Sequence, residues 1–177
     1  MQIRPATPSD FPAVLALNAE SVHFLSPMND ERLAMLADEA EAHWVVAHAG
    51  RVCAFLIAFR EDATYDSVNY RWFCLNYPKF LYIDRVVVSS ETQGRGFGAA
   101  LYKAVFARAQ SSAVPVVTCE FDIDPPNPIS ANFHAKYRFS EVGRQIVANG
   151  TSGTKGTKTV SLQAAHVGDP LCGAGSP

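Results

Sequence analysis

The stretch that decides the fold runs from residue 79 to residue 110 and reads KFLYIDRVVVSSETQGRGFGAALYKAVFARAQ. Its first part, KFLYIDRVVVSS, is rich in β-branched and aromatic residues and predicts a long strand. Its last part, AALYKAVFARAQ, repeats apolar residues at helical spacing. The glycine-rich ETQGRGFG lies between them. This segment therefore predicts a strand, a tight turn and a helix.

The glycines of the turn, Gly94, Gly96 and Gly98, indicate an anion-binding site. Glycine adopts positive φ readily and lets a ligand lie against bare backbone. Successive amide N–H groups and the positive end of the next helix can then converge on a phosphate, to which Arg95 and Gln93 can add hydrogen bonds. The G-x-G-x-G spacing is neither the G-x-G-x-x-G of dinucleotide-binding turns nor a P-loop. A purely structural turn is the alternative.

Outward from this segment, apolar periodicity and turn residues predict the other elements. Thr7, Pro8 and Asp10 are typical of a helix start, and Ala49-Gly50 is typical of a hairpin turn. The predicted elements are a strand at 2–6, helices from residue 7 and at 30–42, strands at 43–50 and 51–61, irregular chain at 61–78, a strand at 114–123, a short helix at 131–137, and a closing hairpin of 139–149 and 156–165.

The strand–helix–strand unit at 79–121 requires a crossover connection, which implies a parallel strand pair, whereas the hairpins are antiparallel. The predicted fold is α/β, a single domain with one mixed, mostly antiparallel central sheet, a parallel pair at the phosphate-binding turn and helices on both faces. We expect the domain to span residues 1–165 and residues 166–177 to be a disordered tail.

Composition narrows the function classes. A net charge of −2 provides no basic field for nucleic acid, and no apolar run reaches the roughly 18 residues of a membrane span. The start, MQIRPATPSDF, lacks the features of a signal peptide. No cluster has zinc-ligand spacing, and no C-x-x-C pair occurs, so we expect no metal and reduced cysteines. These features favour a cytoplasmic protein without nucleic-acid or membrane partners.

The central segment resembles the GCN5-related N-acetyltransferases, the GNAT superfamily. Their signature, Q/R-x-x-G-x-G/A, is matched by Gln93, Gly96 and Gly98 after an apolar strand. The element order through residue 163 also fits a GNAT-like fold. The resemblance implies that the turn amides bind the pyrophosphate of acetyl-coenzyme A, the cosubstrate, and that the preceding strand pairs with pantetheine through its backbone. The residues so implied are Gln93, Gly94, Arg95, Gly96, Phe97, Gly98 and Ala99 for the turn, and Val86, Val87 and Val88 for the strand.

A second match follows the next strand. The family commonly shows N-x-x-A/S-x-x-F-Y-x-K-x-G-F, and this chain has Asn127, Ser130, Phe133, His134, Lys136, Arg138 and Phe139 at those places. The resemblance implies that Asn127 and Ser130 contact pantetheine. It also shows two departures, because His134 stands where the family usually has Tyr and Arg138 where it has Gly.

Direct amine acetylation requires a base for the amine and stabilisation of the departing thiolate. Asp84 is the candidate base, since strand alternation puts it on one face with Tyr82, Val86 and Val88; a structural carboxylate paired with an arginine is the alternative. By its place in the family pattern, His134 is the candidate acid at the sulfur, although Tyr137, or neither residue, remains open.

Aromatic and loop residues are the candidates for the acceptor pocket. Tyr70, Trp72, Phe73 and Tyr82 precede or begin the central strand, where they either line a pocket or pack as core or a dimer contact. In the segment 20–30, Glu20, His23 and Asn29 are further candidates by resemblance. Cys119 lacks a neighbouring cation or histidine in sequence that would activate it as a nucleophile.

The leading interpretation is an N-acetyltransferase that moves acetyl from acetyl-coenzyme A to a primary amine in a ternary complex. A small amine, an amino acid and a peptide N-terminus all fit as acceptor. The alternatives are a non-catalytic acyl-coenzyme A binding or sensing domain and a different phosphate-binding α/β protein. Homodimers are common in the family, so a homodimer is an expectation by analogy.

Overall fold

The computed structural model describes residues 1–148 and 156–168. Its strands form one seven-stranded sheet whose spatial order, numbered along the chain, is 1-2-3-4-5-7-6. The strands are β1 (Gln2–Pro5), β2 (Ala42–His48), β3 (Arg51–Arg60), β4 (Leu81–Val88), β5 (Val116–Asp124), β6 (Ser140–Ala148) and β7 (Thr157–His166). Within this sheet β4 and β5 run parallel, and every other neighbouring pair is antiparallel. The predicted fold class is confirmed.

Helices cover both faces of the sheet. They are α1 (Phe11–Glu20), α2 (Asp30–Glu39), α3 (Val68–Asn76), α4 (Phe97–Ser111) and α5 (Pro128–Ala135). Leu101 and Val105 of α4 join one apolar core, while Leu33 of α2 and Phe73 of α3 join the core on the opposite face. Within the described residues, no helix has the length and apolar character needed to span a bilayer.

The prediction of irregular chain over 61–78 is wrong, because residues 68–76 form α3. The Ser67 hydroxyl caps this helix by accepting a hydrogen bond from the Tyr70 N–H, at 3.3 Å. Tyr70 and Phe73, three residues apart, are buried on the inner side, whereas Leu75 is exposed. Aromatic residues have modest helix propensity, so burial of this face and not local preference makes the segment helical.

The other boundaries differ from the predictions by a few residues. Helix α5 begins three residues early because the Asn127 Oδ1 accepts a hydrogen bond from the Ser130 N–H and caps it. The hairpin at Ala49-Gly50 is confirmed, with φ of 50° and 76° at these two residues. Strand β7 ends at His166, and residues 169–177 of the expected tail lie outside the described residues.

A β-bulge interrupts β4 at Asp84. Opposite it on β3, Ile57 pairs with Arg85 while the next residue, Ala58, pairs with Ile83, so Asp84 is the extra residue. The expectation that Tyr82, Asp84, Val86 and Val88 share one face is therefore wrong. Val86 and Val88 pack with Ile83 on the α4–α5 side, whereas Tyr82 packs with Val87 on the α1–α3 side.

The parallel strands separate beyond the first residues of β4. They pair at Leu81 with Val117 and at Tyr82 with Thr118, which are the pairs between β4 and β5 in the described sheet. From residue 83 onward, one edge of β4 therefore carries backbone groups that β5 does not bind. This gap in the middle of the sheet is where the cavity lies.

Candidate active site

A cavity of about 690 Å³ occupies the gap between β4 and β5. The residues that line it include Tyr102 and Phe133 on the α4–α5 face of the sheet, and Phe24 and Asn69 on the opposite face. Because residues from both faces contribute, the cavity passes through the sheet. Two different molecules can therefore approach the same point from opposite sides.

The glycine turn lies at the α4 end of this cavity. Gly94 and Gly96 have φ of 78° and 80°, and Gly96 is the residue that caps α4. A Cβ built on either glycine meets no atom of the described residues within 4 Å, so within this part of the chain the backbone faces open space. A Cβ on Gly98, in contrast, would lie 3.3 Å from the Phe133 ring, so this glycine allows α4 to pack closely. The arrangement suits an anion held by backbone amides at a helix N-terminus.

Most residues implied by the resemblance line the cavity. They are Val86, Val87, Val88, Gln93, Gly94, Gly96, Phe97, Gly98, Ala99, Asn127 and Ser130. The Phe97 side chain itself is buried against His48, with ring centroids 5.5 Å apart, so its contribution to the turn is a backbone one. Arg95 is exposed and lies outside the cavity lining. The binding roles of all these residues stay predictions.

Asp84 lies in the cavity wall and is charge-paired. Its Oδ2 accepts a hydrogen bond from the Arg85 Nε at 2.5 Å, and its Oδ1 accepts one from the Tyr65 hydroxyl. The side chains of Asp84 and Arg85 are 6% and 7% exposed. Burial and the nearby Asp84 charge raise the pKa of Tyr65, so this phenol stays protonated and donates. Asp84 as base stays a prediction, and both of its oxygens already have partners.

Glu120, on β5, is a site residue that the sequence reasoning missed. Its Oε1 accepts hydrogen bonds from the Asn69 Nδ2 and the Tyr82 hydroxyl, each at 2.9 Å. Its Oε2 is buried and, within the part of the chain that the structure describes, has no hydrogen-bond partner. Burial raises the pKa of Glu120 to about 7, although both hydrogen bonds act to lower it. A carboxyl that exchanges its proton near neutrality suits general-base catalysis.

A signal for Glu120 was present in the sequence. The strand VVTCEFDI carries an acidic residue between apolar ones, at a place where a charge is costly to bury without partners. Its partners come from α3 and β4, which are distant in sequence, so neither its bonds nor its raised pKa could be read locally.

Both ring nitrogens of His134, on α5, have hydrogen-bond partners, one within α5 and one on α4. Its Nδ1 lies 2.7 Å from the Ser130 carbonyl oxygen, which can only accept, so Nδ1 carries the proton. Its Nε2 then accepts from the Tyr102 hydroxyl at 2.7 Å. Burial lowers the pKa of His134, which favours this neutral form. The acid role of His134 stays a prediction, as does that of Tyr137, which also lines the cavity and whose pKa burial raises.

Five of the seven residues that were candidates for the acceptor pocket lie outside the cavity lining. Tyr70 is buried and donates from its hydroxyl to the Arg60 carbonyl at 2.8 Å. Phe73 is fully buried, and Trp72 packs so closely on β6 that a Cβ on Gly143 would lie 2.8 Å from its ring. The other two are Tyr82, which reaches the site through its bond to Glu120, and Asn29, which caps α2.

Residues of the segment 20–30 do line the cavity. Glu20 accepts a hydrogen bond from the Ser90 N–H at 3.3 Å, at the end of β4, and His23 lies in the wall beside it. Cys119 also lines the cavity, but burial raises the pKa of its thiol well above the ordinary value and disfavours the nucleophilic thiolate.

Comparisons with known proteins point in the same direction as this geometry. The sequence model described as "Acetyltransferase (GNAT) family" matches residues 10–139. No curated protein matches the chain at a significant level.

Many solved structures share the fold. Ribosomal-protein-alanine N-acetyltransferase from Brucella melitensis has a TM-score of 0.71 and 19% identity, over 94% of this chain and 99% of that one. The yncA protein from Salmonella typhimurium, solved with its cofactor acetyl-CoA, has a TM-score of 0.68 and 17% identity, over 100% and 97%. The smu.2055 protein from Streptococcus mutans has a TM-score of 0.73 and 13% identity, over 94% and 99%. At these identities the likeness establishes the fold.

Proposed function

Because the chain belongs to the acetyltransferase (GNAT) family, we propose that it transfers an acetyl group from acetyl-coenzyme A to a primary amine directly, in a ternary complex. Members of this family are acetyl-coenzyme A-dependent N-acetyltransferases, so the predictions of an enzyme and of its cosubstrate are confirmed. The cavity through the sheet supports the proposal most directly, because the glycine turn lies at one end and the carboxyl groups of Asp84, Glu120 and Asp122 lie toward the other.

The residues at the α4 end fit coenzyme A. The open space over Gly94 and Gly96 leaves their backbone accessible to a pyrophosphate at the start of α4. Beyond Tyr82, the edge of β4 that faces the gap has backbone groups unpaired with β5. An extended ligand can form strand-like hydrogen bonds with such an edge, as pantetheine would with residues 86–88.

The remaining chemistry concerns the amine. Acetyl-coenzyme A supplies a thioester, and an amine attacks it only as the free base, so a protein group must take its proton. Glu120 is supported for this role by its Oε2, which has no hydrogen-bond partner among the described residues, by its place in the cavity wall and by its pKa of about 7. Asp84 is the less favoured candidate because Arg85 and Tyr65 bind both of its oxygens.

The face opposite α4 supports a positively charged acceptor. Asp84, Glu120 and Asp122 line this part of the cavity, where Arg85 pairs with Asp84 and Lys158 pairs with Asp122 at 2.9 Å. Among the described residues, Glu120 is therefore the carboxyl here that has no cation in an ion pair with it. An ammonium group that reaches Glu120 can transfer its proton to Oε2 and then attack the thioester as the free amine. A small amine, an amino acid and a peptide N-terminus remain the acceptor classes to be distinguished by experiment.

Release of free coenzyme A thiol from acetyl-coenzyme A, measured with a panel of amines, tests this function. The panel includes small amines, amino acids and peptides. A peptide with an N-terminal alanine is among them because the structural neighbour from Brucella melitensis is a ribosomal-protein-alanine N-acetyltransferase. We expect amine-dependent thiol release matched by acetylated product in mass spectrometry. Tight coenzyme A binding without turnover on any amine would instead support the binding or sensing domain. No heat of coenzyme A binding at millimolar ligand would contradict both.

A further inference from the structure

We propose that Asn69 and Gln145 are positioning residues, which hold the Glu120 carboxyl so that its Oε2 is the oxygen left free at the cavity wall. The inference rests on the proposed function, in which Glu120 takes the proton of the amine. It concerns two residues that come from two further elements, α3 and β6.

A backbone carbonyl determines the orientation of both amide side chains. The Gln145 Nε2 lies 3.3 Å from the Val68 carbonyl oxygen, which can only accept, so the nitrogen end of Gln145 points toward α3. The same nitrogen lies 3.0 Å from the side-chain oxygen of Asn69, which must therefore be an acceptor. The Asn69 Nδ2 is then directed at the Glu120 Oε1, 2.9 Å away.

Because Asn69 is buried, the orientation of its amide affects the charge of Glu120. Asn69 is 8% exposed and lies in the first turn of α3, directly before the buried Tyr70. A buried amide without partners would cost free energy, and this one has a partner at each end. If Asn69 were reversed, its carbonyl would face the Glu120 Oε1 and oppose the ionised carboxylate.

The chain of bonds leaves one oxygen of Glu120 for chemistry. Oε1 accepts from Asn69 on α3 and from Tyr82 on β4, so a proton bound by the carboxyl goes to Oε2. The other charged groups that act on Glu120 are Asp84 on β4 and Lys158 on β7, the first opposing and the second favouring its ionised form. Gln145 therefore acts on the Glu120 pKa through one interaction, the hydrogen bond that the Asn69 amide donates to Oε1.

Titration of the Glu120 carboxyl by carbon NMR tests the proposal without depending on turnover. Protein labelled at glutamate carboxyls is compared with Glu120→Gln to identify the signal. In Asn69→Ala we expect the Glu120 midpoint to rise by about one pH unit, because a donor to the charged form is lost. In Gln145→Met, which lacks the donor but keeps the length, we expect a rise of about half a unit.

The double variant distinguishes a positioning role of Gln145 from a general loss of packing around Glu120. Since Gln145 acts only through Asn69, the Asn69→Ala/Gln145→Met midpoint should not exceed that of Asn69→Ala alone. Asn76→Ala, on the exposed side of α3, is the matched control and should leave the midpoint unchanged. The acid limb of kcat/KM should move with the NMR midpoint, lowering kcat/KM about tenfold for Asn69→Ala on that limb.

Two results would overturn the proposal: an unmoved Glu120 midpoint in folded Gln145→Met and Asn69→Ala, or shifts that add in the double variant. Should Asn69→Ala fail to fold, the half-unit shift in Gln145→Met alone decides, because Gln145 lies at the surface edge of the network and its loss leaves Asn69 in place. If the midpoint shifts as expected while no amine is acetylated, the orientation stands and the proposed function fails.

Discussion

The two ends of the cavity are built in opposite ways. The glycine turn is six consecutive residues, 93–98, whose useful groups are backbone amides exposed at the start of α4. The carboxyl cluster at Asp84 and Glu120 depends on side chains from separate parts of the chain, including Asn69. A backbone site depends on local conformation, whereas a side-chain cluster depends on what buries it. Variants at one end should therefore leave the other end working.

The largest effect is expected for Glu120→Gln, which keeps the shape of the side chain but cannot take the amine proton. We expect kcat to fall by about 100-fold or more, the usual contribution of a general base. The affinity for coenzyme A, measured by calorimetry, should stay within about twofold because the glycine turn is untouched. Glu31→Gln, an exposed position on α2, is the control. Wild-type turnover in Glu120→Gln would return the base role to Asp84.

The largest effect on stability, as distinct from catalysis, is expected at the other carboxylate. Asp84→Asn leaves the Arg85 guanidinium buried without its charge partner, and we expect the free energy of unfolding to fall by about 3 to 5 kcal/mol in urea. Asp84→Asn/Arg85→Met should recover much of this loss. Glu91→Gln, in an ion pair whose side chains are both 72% exposed, should change stability by less than about 1 kcal/mol. Equal losses in the two single variants would contradict a buried, charge-paired Asp84.

The pH dependence of stability provides a third test. Burial raises the pKa of Glu120 from 4.5 to about 7, so the folded protein binds this proton more tightly than the unfolded chain. That stabilisation is complete below about pH 4.5 and is lost as the pH rises through 7. The residue as a whole is partly accessible to solvent, which weakens this effect, so we expect the free energy of unfolding to fall by about 2 kcal/mol over this range. Between pH 4.5 and pH 8, the free energy of unfolding of Glu120→Gln, measured in urea, should therefore rise by about this much relative to that of the wild type. Equal pH dependence of the free energy of unfolding in the two proteins would contradict the raised pKa.

At the other end of the cavity, Gly96→Ala should weaken coenzyme A binding by about tenfold, because a side chain strains φ of 80° and occupies the space that the ligand needs. Gly50→Ala is the matched control, since Gly50 has φ of 76° and is equally open but lies in the β2–β3 hairpin. Both should lose about 1 kcal/mol of stability, measured in urea. Equal coenzyme A affinity in the two variants would exclude the turn as the pyrophosphate site.

The smallest effect is expected for His134→Phe. We expect kcat to fall about fivefold with little change in coenzyme A affinity, since the change removes the partner of the Tyr102 hydroxyl beside the cavity. Tyr102→Phe breaks the same hydrogen bond from the other side and should have a similar effect. A loss of 100-fold or more for His134→Phe alone would support the acid role, and unchanged turnover would remove His134 from the mechanism.

Sequence reasoning succeeded where the relevant forces are local. The turn at 93–98 follows from glycine conformation, and the hairpin turn at Ala49-Gly50 from residues that accept positive φ. The Asn127 cap of α5 is also a short-range hydrogen bond, but it was missed, so the helix was predicted to begin three residues too late. It failed for α3, whose aromatic residues are helical because they pack on the sheet. It failed also for the faces of β4, because a single unpaired residue at Asp84 reverses strand alternation.

The amino-acid sequence alone determined the fold class, the glycine turn and the family, because these depend on residue types at fixed short spacings. Tertiary structure decided which carboxyl is paired with a cation and which has a raised pKa. Asp84 and Glu120 are both acidic residues in apolar strands, and they differ only in their neighbours, a buried guanidinium for one and uncharged donors for the other. The pKa of a buried carboxyl is set by desolvation and by groups within a few ångströms, and here those groups come from helices and strands distant in the chain.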